Sequence, residues 1–239
     1  MGNTGVAFTD AWSMYNNPGA LAFIHSNTVG FSCQNSFEIS ELSTASGMAA
    51  LKFERSAAGV NVSSFGFDQY QELTVGGNYA MQLNESFGIG VQLNYFSINY
   101  GTEGYSSIES YNVALGLYSK VNDKLSLGAS AYNINYYQID DKPEQFMPLT
   151  LRFGAAYKFS GAFNSTLEVQ KMLEQKARVR MGIEYLPVSK LAIRGGFQTS
   201  PLEYSFGLGY RSEKFHIDIA SMQHNVLGFS PNASMSFQF

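Results

Sequence analysis

Apolar residues alternate one-for-one with small or polar residues along nearly the whole chain, and few folds accommodate such a pattern. Leu149, Leu151, Phe153, Ala155, Tyr157 and Phe159 interleave with Thr150, Arg152, Gly154, Ala156 and Lys158. Leu73, Val75, Gly77, Tyr79, Met81 and Leu83 interleave with Thr74, Gly76, Asn78, Ala80 and Gln82. Phe87, Ile89, Val91, Leu93 and Tyr95 do the same with Gly88, Gly90, Gln92 and Asn94. Successive side chains of a strand point to opposite faces, so each segment has one apolar face and one small or polar face. Fourteen such segments can be marked, near 28–38, 46–54, 57–67, 72–83, 86–100, 107–121, 124–138, 149–159, 163–171, 176–186, 190–199, 203–211, 214–222 and 232–239.

Composition decides what kind of β protein this is. Only 14% of residues are charged, against roughly 25% in an ordinary soluble protein. Aromatics reach 15% and there are 23 glycines, yet the mean hydropathy is only -0.11. No window holds the ~18–20 consecutive apolar residues of a membrane helix, which excludes a helical membrane protein. The wealth of aromatic and β-branched residues excludes disorder. A barrel with an apolar outer wall and a polar lumen reconciles these numbers. In a soluble sandwich the apolar face would point inward, and the other face would have to carry Arg152, Lys158, Glu168, Arg178, Arg180, Glu184, Arg194, Arg211 and Asp218.

The links between segments agree. Those at 55–56, 84–85, 122–123, 160–162, 187–189 and 212–213 are tight. Between them fall longer ones, at 39–45, 68–71, 101–106, 139–148, 172–175, 200–202 and 223–231. Such alternation separates the periplasmic and extracellular ends of an outer-membrane barrel, and an even strand number leaves both termini periplasmic. The expected fold is therefore all-β, a fourteen-stranded antiparallel transmembrane barrel over residues 26–239. The expected setting is the bacterial outer membrane, with its lipids as the surroundings of the wall. A terminal amphipathic strand closing on Phe237 and Phe239 resembles the insertion signal of bacterial barrels. With a net charge of -4 and no basic patch, nucleic acid is not an expected partner. Cys33 is alone, and no motif for a metal or cofactor is present. Residues 1–25 lack a basic n-region and a continuous apolar stretch, as expected of a mature chain.

Residues 1–25 do not alternate and read as a plug, or hatch, in the barrel mouth. Gly5 and Gly19 permit unusual backbone angles, Pro18 steers Asn17 away from the α region, and Thr9 or Asp10 could cap a short turn. The pattern from Met1 to Phe23, with Gly2, Gly5, Val6, Ala7, Asp10, Ala11, Ser13, Asn17-Pro18, Leu21 and Ala22, resembles the N-terminus of PorV/PorQ-type outer-membrane proteins. That family, tied to type IX secretion in Bacteroidota, is similar in turn to FadL-type fatty-acid transporters. The resemblance implies a fourteen-stranded barrel with an N-terminal hatch carrying an Asn-Pro motif, here Asn17-Pro18. It also implies a non-enzymatic accessory subunit of a protein export or assembly complex, with other outer-membrane proteins or lipoproteins as partners. The alternative it implies is a FadL-like passive transporter of hydrophobic small molecules. Gly19 departs from the family's usual Ala, and the links at the outer end are short.

Four groups of side chains are candidates for function. Arg152, Lys158, Glu168, Arg178, Arg180, Glu184, Arg194 and Arg211 share the lumen face. They form either an anion-selective constriction or an ion-pair network that holds the hatch, with Asp10 as one contact. The network is the preferred reading. Bulky lumen residues and a hatch also predict a barrel that is not an open porin. His224, Asn225 and Ser230 share one rim link but lack the spacing of a hydrolase, and Asp140, Asp141 and Glu144 match no calcium loop. Tyr95, Phe96, Tyr100, Tyr132, Tyr136 and Tyr137 read as an interfacial girdle. The slip in alternation at Tyr95-Phe96 marks either the strand's exit from the bilayer or a bulge, which would give the lateral opening FadL-type barrels use.

Overall fold

The computed structural model describes residues 1–101, 107–135 and 148–239. Among them fourteen antiparallel strands close into a barrel. They are β1 (Thr28–Asn35), β2 (Ser43–Lys52), β3 (Ser56–Phe67), β4 (Tyr70–Gln82), β5 (Phe87–Tyr100), β6 (Ile108–Lys120) and β7 (Leu125–Tyr132). The ring continues through β8 (Thr150–Lys158), β9 (Phe163–Met172), β10 (Arg178–Val188), β11 (Leu191–Gln198), β12 (Glu203–Arg211), β13 (Phe215–His224) and β14 (Gly228–Gln238). Each strand pairs with its neighbours in sequence, and β14 closes on β1 with Met235 opposite Phe31. A closed ring leaves no strand edge unpaired, which lets a sheet cross hydrocarbon.

The two faces are inverted relative to a soluble protein. Leu93 and Phe153, both on the outer wall, are 63% and 62% exposed, and most of the other large exposed apolar side chains lie on strands of that wall. Asn61, Asn78, Gln92, Asn94, Asn112, Glu168, Arg180 and Glu184 are buried on the inner face. Aromatic pairs sit near both ends of the wall: Tyr95 with Tyr111 at the loop end, and Phe215 with Phe237 and Tyr157 with Phe159 at the end with the tight turns. Phe239, exposed, stacks on Phe237.

Most boundaries lie within a few residues of those read from the sequence. The largest differences are at β7, which ends at Tyr132 rather than near 138, and at β14, which starts at Gly228 rather than near 232 and leaves only 225–227 as its link to β13. Gly228 takes a φ of +90°, and Pro231 stands in the ladder opposite Ser221. Near a strand end proline forfeits a single N–H, so it does not stop the pairing. The β3–β4 link likewise contracts to 68–69, so not every link at the loop end is longer than those opposite.

The apolar core lies inside the barrel. Two short 3-10 turns, Ala11–Tyr15 and Pro18–Phe23, press Ala11, Met14, Leu21, Ala22 and Ile24 against Met48, Ala50, Ala57 and Ala80 of β2 to β4.

Candidate functional site

Glycines on the inner wall make room for the N-terminal segment. A Cβ on Gly128 would lie 1.9 Å from the Val6 carbonyl oxygen, and one on Gly116 2.1 Å from Asn17 Oδ1. At Gly90 the same atom would meet the Pro18 oxygen at 2.4 Å, and at Gly182 and Gly196 it would run into Met1. These contacts are far inside van der Waals distance, so the segment rests directly on backbone.

Asn17 organises the middle of the segment. It is fully buried, its Oδ1 accepts from Gly19 N at 3.0 Å, and its Nδ2 donates to the Val6 and Leu117 oxygens at 2.7 and 2.9 Å. It thus caps the Pro18–Phe23 turn, whose first residue is the proline that a first helical position tolerates. Tyr15, whose phenol burial pushes up to about 12, donates to the oxygens of Gly47 and Val62.

The lumen charges separate into two clusters. In the first, Glu168 is 1% exposed and its Oε2 accepts from the backbone nitrogens of Gly5 and Val6 at 2.9 and 3.0 Å. Its Oε1 takes Arg152 Nη2 at 2.6 Å and Arg180 Nη1 at 3.1 Å. Both guanidiniums also reach the Asn3 carbonyl, and Arg152 donates to Asn16 Oδ1 at 2.8 Å. In the second cluster Glu184 pairs with Arg194 and Arg211, each at 2.7 Å, and Arg194 also pairs with Asp218. Gly2 N donates to Ser205 Oγ at 2.7 Å beyond it.

Several expected members stand elsewhere. Among the described residues Lys158 and Arg178 make no ion pair. Lys158 is exposed at a strand end, and Arg178 donates to the Ser200 carbonyl. Asp10 forms no ion pair with an arginine among the described residues, although it lies within the electrostatic reach of Arg211 and Asp218 at the start of the first turn. The contact is made by backbone N–H groups instead, which carry no signature in side-chain identity.

The slip in β5 is not a bulge. Register with β4 and β6 runs unbroken through Tyr95 and Phe96 as far as Ile98 on both sides. Tyr95 stays on the outer wall, whereas Phe96 and Ile98 are buried on the inner face, and Tyr100 pairs with Tyr70. The inner wall of β5 toward the loop-end mouth is therefore apolar, with Phe96 and Ile98 buried. Tyr132 also faces inward, so the girdle reading of Phe96, Tyr100 and Tyr132 is corrected. Tyr136, Tyr137, Asp140, Asp141 and Glu144 lie outside the described residues.

Against the N-terminal segment, inside the barrel, lies a cavity of about 420 Å³. Asn61, Gln92, Asn94, Tyr132, Arg152 and Arg180 are among its lining residues. A ladder of amides runs along one wall, from Asn78 to Asn61, Gln92 to Asn61 and Asn94, and Asn94 to Asn112, at 2.7–3.2 Å. The sequence reading missed this ladder, although its members occupy lumen-facing slots near the middle of β3 to β6. At the rim, His224 Nδ1 accepts from the backbone of Val226 and Leu227, and Ser230 Oγ accepts from Phe37 N. Both side chains serve loop backbone rather than each other.

No protein-family model matches the chain, and no curated protein matches it in sequence. Solved structures do match over its full length. A monoaromatic hydrocarbon channel, a TodX variant lacking S2 and S3, aligns with TM-score 0.74 and 14% identity, covering 100% of this chain and 97% of that one. The CymD monoaromatic hydrocarbon channel aligns with TM-score 0.74 and 15% identity over 100% and 96%. A Pseudomonas aeruginosa FadL homologue aligns with TM-score 0.70 and 11% identity, again over 100% and 96%. At such identities the likeness concerns the fold, and the chain shares the fourteen-stranded fold of FadL-like outer-membrane barrels.

Proposed function

We propose that this chain is a non-enzymatic outer-membrane channel for small molecules, with residues 1–25 as a hatch on the periplasmic side and both termini periplasmic. The observation that carries the reading is the 420 Å³ cavity inside the barrel, lined on one side by Asn3, Met14, Tyr15, Asn16 and Pro18 of the N-terminal segment and on the other by the polar inner wall. That volume suits a small ligand. The structural neighbours described as monoaromatic hydrocarbon channels and a toluene transporter favour transport over an accessory role. The unbroken ladders of β2 to β6 favour an axial path past the hatch over a lateral gap in that part of the wall.

A second reading keeps a specific observation in its favour. The PorV/PorQ-like pattern falls on Asn17-Pro18, the best-satisfied point of the N-terminal segment. This reading makes the chain an accessory subunit of a type IX-like export complex. Flux of small uncharged solutes into proteoliposomes separates the two. Entry that rises with protein content supports the channel. Impermeable vesicles, together with stoichiometric recovery of other outer-membrane proteins from native membranes, overturn it in favour of the subunit.

A further inference from the structure

The cavity against the N-terminal segment keeps polar groups that the protein itself does not use. Asn61 Oδ1 accepts from Asn78 and Gln92, but its Nδ2 has no partner among the described residues. Gln170 of β9 and Thr74 of β4 line the same cavity, and their side chains make no hydrogen bond among the described residues. Asn61 and Gln170 are only 3% and 8% exposed, yet these polar atoms keep some accessible surface, whereas Arg180 Nε is occluded. The surface they keep opens on the cavity they line. A second cavity of about 280 Å³ shares Asn3, Tyr15 and Asn16 with the first. Register sets Ser32 between Ser234 and Ser46 along its wall, and the described residues lining it carry no charge. The hydroxyls of Ser32 and Ser234 and the Asn232 amide are likewise without a protein partner among the described residues.

Resting on the channel reading above, we propose that the two cavities form a binding path for a neutral, polyhydroxylated solute the size of a single sugar ring. A hydroxyl both donates and accepts, so one kind of group answers the Asn61 N–H, the Gln170 amide and the serine hydroxyls alike. A hydrocarbon would displace water from these groups and return no bond, which loses affinity. A charged solute finds no unpaired opposite charge, because the bonds of Arg152 and Arg180 go to Glu168, Asn3 and Asn16. Trp12 and Tyr15, a tilted pair with ring centroids 6.0 Å apart, give apolar ring surface to the C–H face of such a ring.

Trp12, the one tryptophan of the chain, lines the second cavity and reports on its occupancy. The full-length barrel in detergent is titrated with myo-inositol, which carries a hydroxyl on every ring carbon, and with cyclohexanol, which carries one, and Trp12 emission is followed. Saturable inositol binding, at least about tenfold tighter than that of cyclohexanol, is expected from two or more additional hydrogen bonds. Gln170→Leu combined with Ser234→Ala breaks no side-chain hydrogen bond of the described residues. It should weaken inositol binding at least about fivefold and leave cyclohexanol binding unchanged. Equal binding of the two probes by the unmodified chain, or tighter binding of cyclohexanol, overturns the proposal without reference to any variant. So does an inositol preference that survives the double variant. Flux of uncharged solutes with no inositol preference leaves the channel standing and removes the binding path. Selective inositol binding by a barrel whose vesicles stay impermeable does the reverse.

Discussion

Glu168 accepts the backbone N–H of Gly5 at 2.9 Å, across more than 160 residues of sequence, and so joins the wall to the N-terminal segment. The same carboxylate neutralises part of the charge of Arg152 and Arg180. Its replacement by glutamine keeps the shape but leaves two guanidiniums facing each other. Breaking a buried pair in this way costs on the order of 3–5 kcal/mol. Glu168→Gln should therefore release the segment, making residues 1–25 sensitive to added protease while the barrel stays intact. A segment as protected as in the unmodified chain would rule out Glu168 as its anchor.

The wall glycines make a paired prediction. A Cβ on Gly116 would meet Asn17 Oδ1 at 2.1 Å and Gly19 N at 2.4 Å, whereas one on Gly77 has nothing within 4 Å. Gly116→Val should displace the segment and raise single-channel conductance in planar bilayers. Gly77→Ala should leave conductance unchanged. Equal conductance in the two variants would mean that the segment does not obstruct the lumen.

Much of the architecture is legible in the sequence because strand parity is a local property. Leu151 and Phe153 reach the outer wall and Arg152 the lumen by alternation alone, and the tight links mark where each hairpin turns. The interior is less legible. Which charges meet depends on register between strands, so Arg152 and Arg180 find Glu168 while Lys158 and Arg178 do not pair. Phe96 and Ile98 break the apolar-outward rule because the mouth, above the amide ladder, is itself apolar. The seating of residues 1–25 rests on glycines such as Gly116 and Gly128, whose lack of a side chain reads equally well as strand flexibility or turn chemistry.

Asn17 offers a sharper test of the same seating. Its amide donates to two carbonyls and accepts one N–H, which a carboxylate cannot reproduce. Asn17→Asp places a negative charge against the Val6 and Leu117 oxygens and should loosen the segment by about 2–3 kcal/mol, the cost of unpaired buried groups. Facing two acceptors, the new carboxylate holds its proton more tightly in the seated state than when free. Its folded pKa is thus raised, and the defect should be full above that value and shrink as the pH falls through the free carboxylate range near 4. Trp12 emission, red-shifted at neutral pH and recovering in acid relative to the parent protein, reads this out. A defect that is the same at both pH values would contradict the hydrogen-bond assignment.

Leu93, on the outer wall of β5, decides whether that wall faces lipid. It is 63% exposed in a strand whose next residue, Asn94, is buried in the amide ladder. For a wall in water, Leu93→Arg replaces an exposed apolar group by an exposed charged one and should change stability by less than about 0.5 kcal/mol. For a wall in hydrocarbon the same change costs roughly 2–4 kcal/mol near the bilayer midplane and little near the interfaces. Leu83, toward the turn end, gives the interfacial comparison, since it is also exposed on the outer face. Unfolding from lipid vesicles in denaturant should therefore show Leu93→Arg as strongly destabilised and Leu83→Arg as nearly neutral. Two equally mild variants would place this apolar wall against something other than a bilayer.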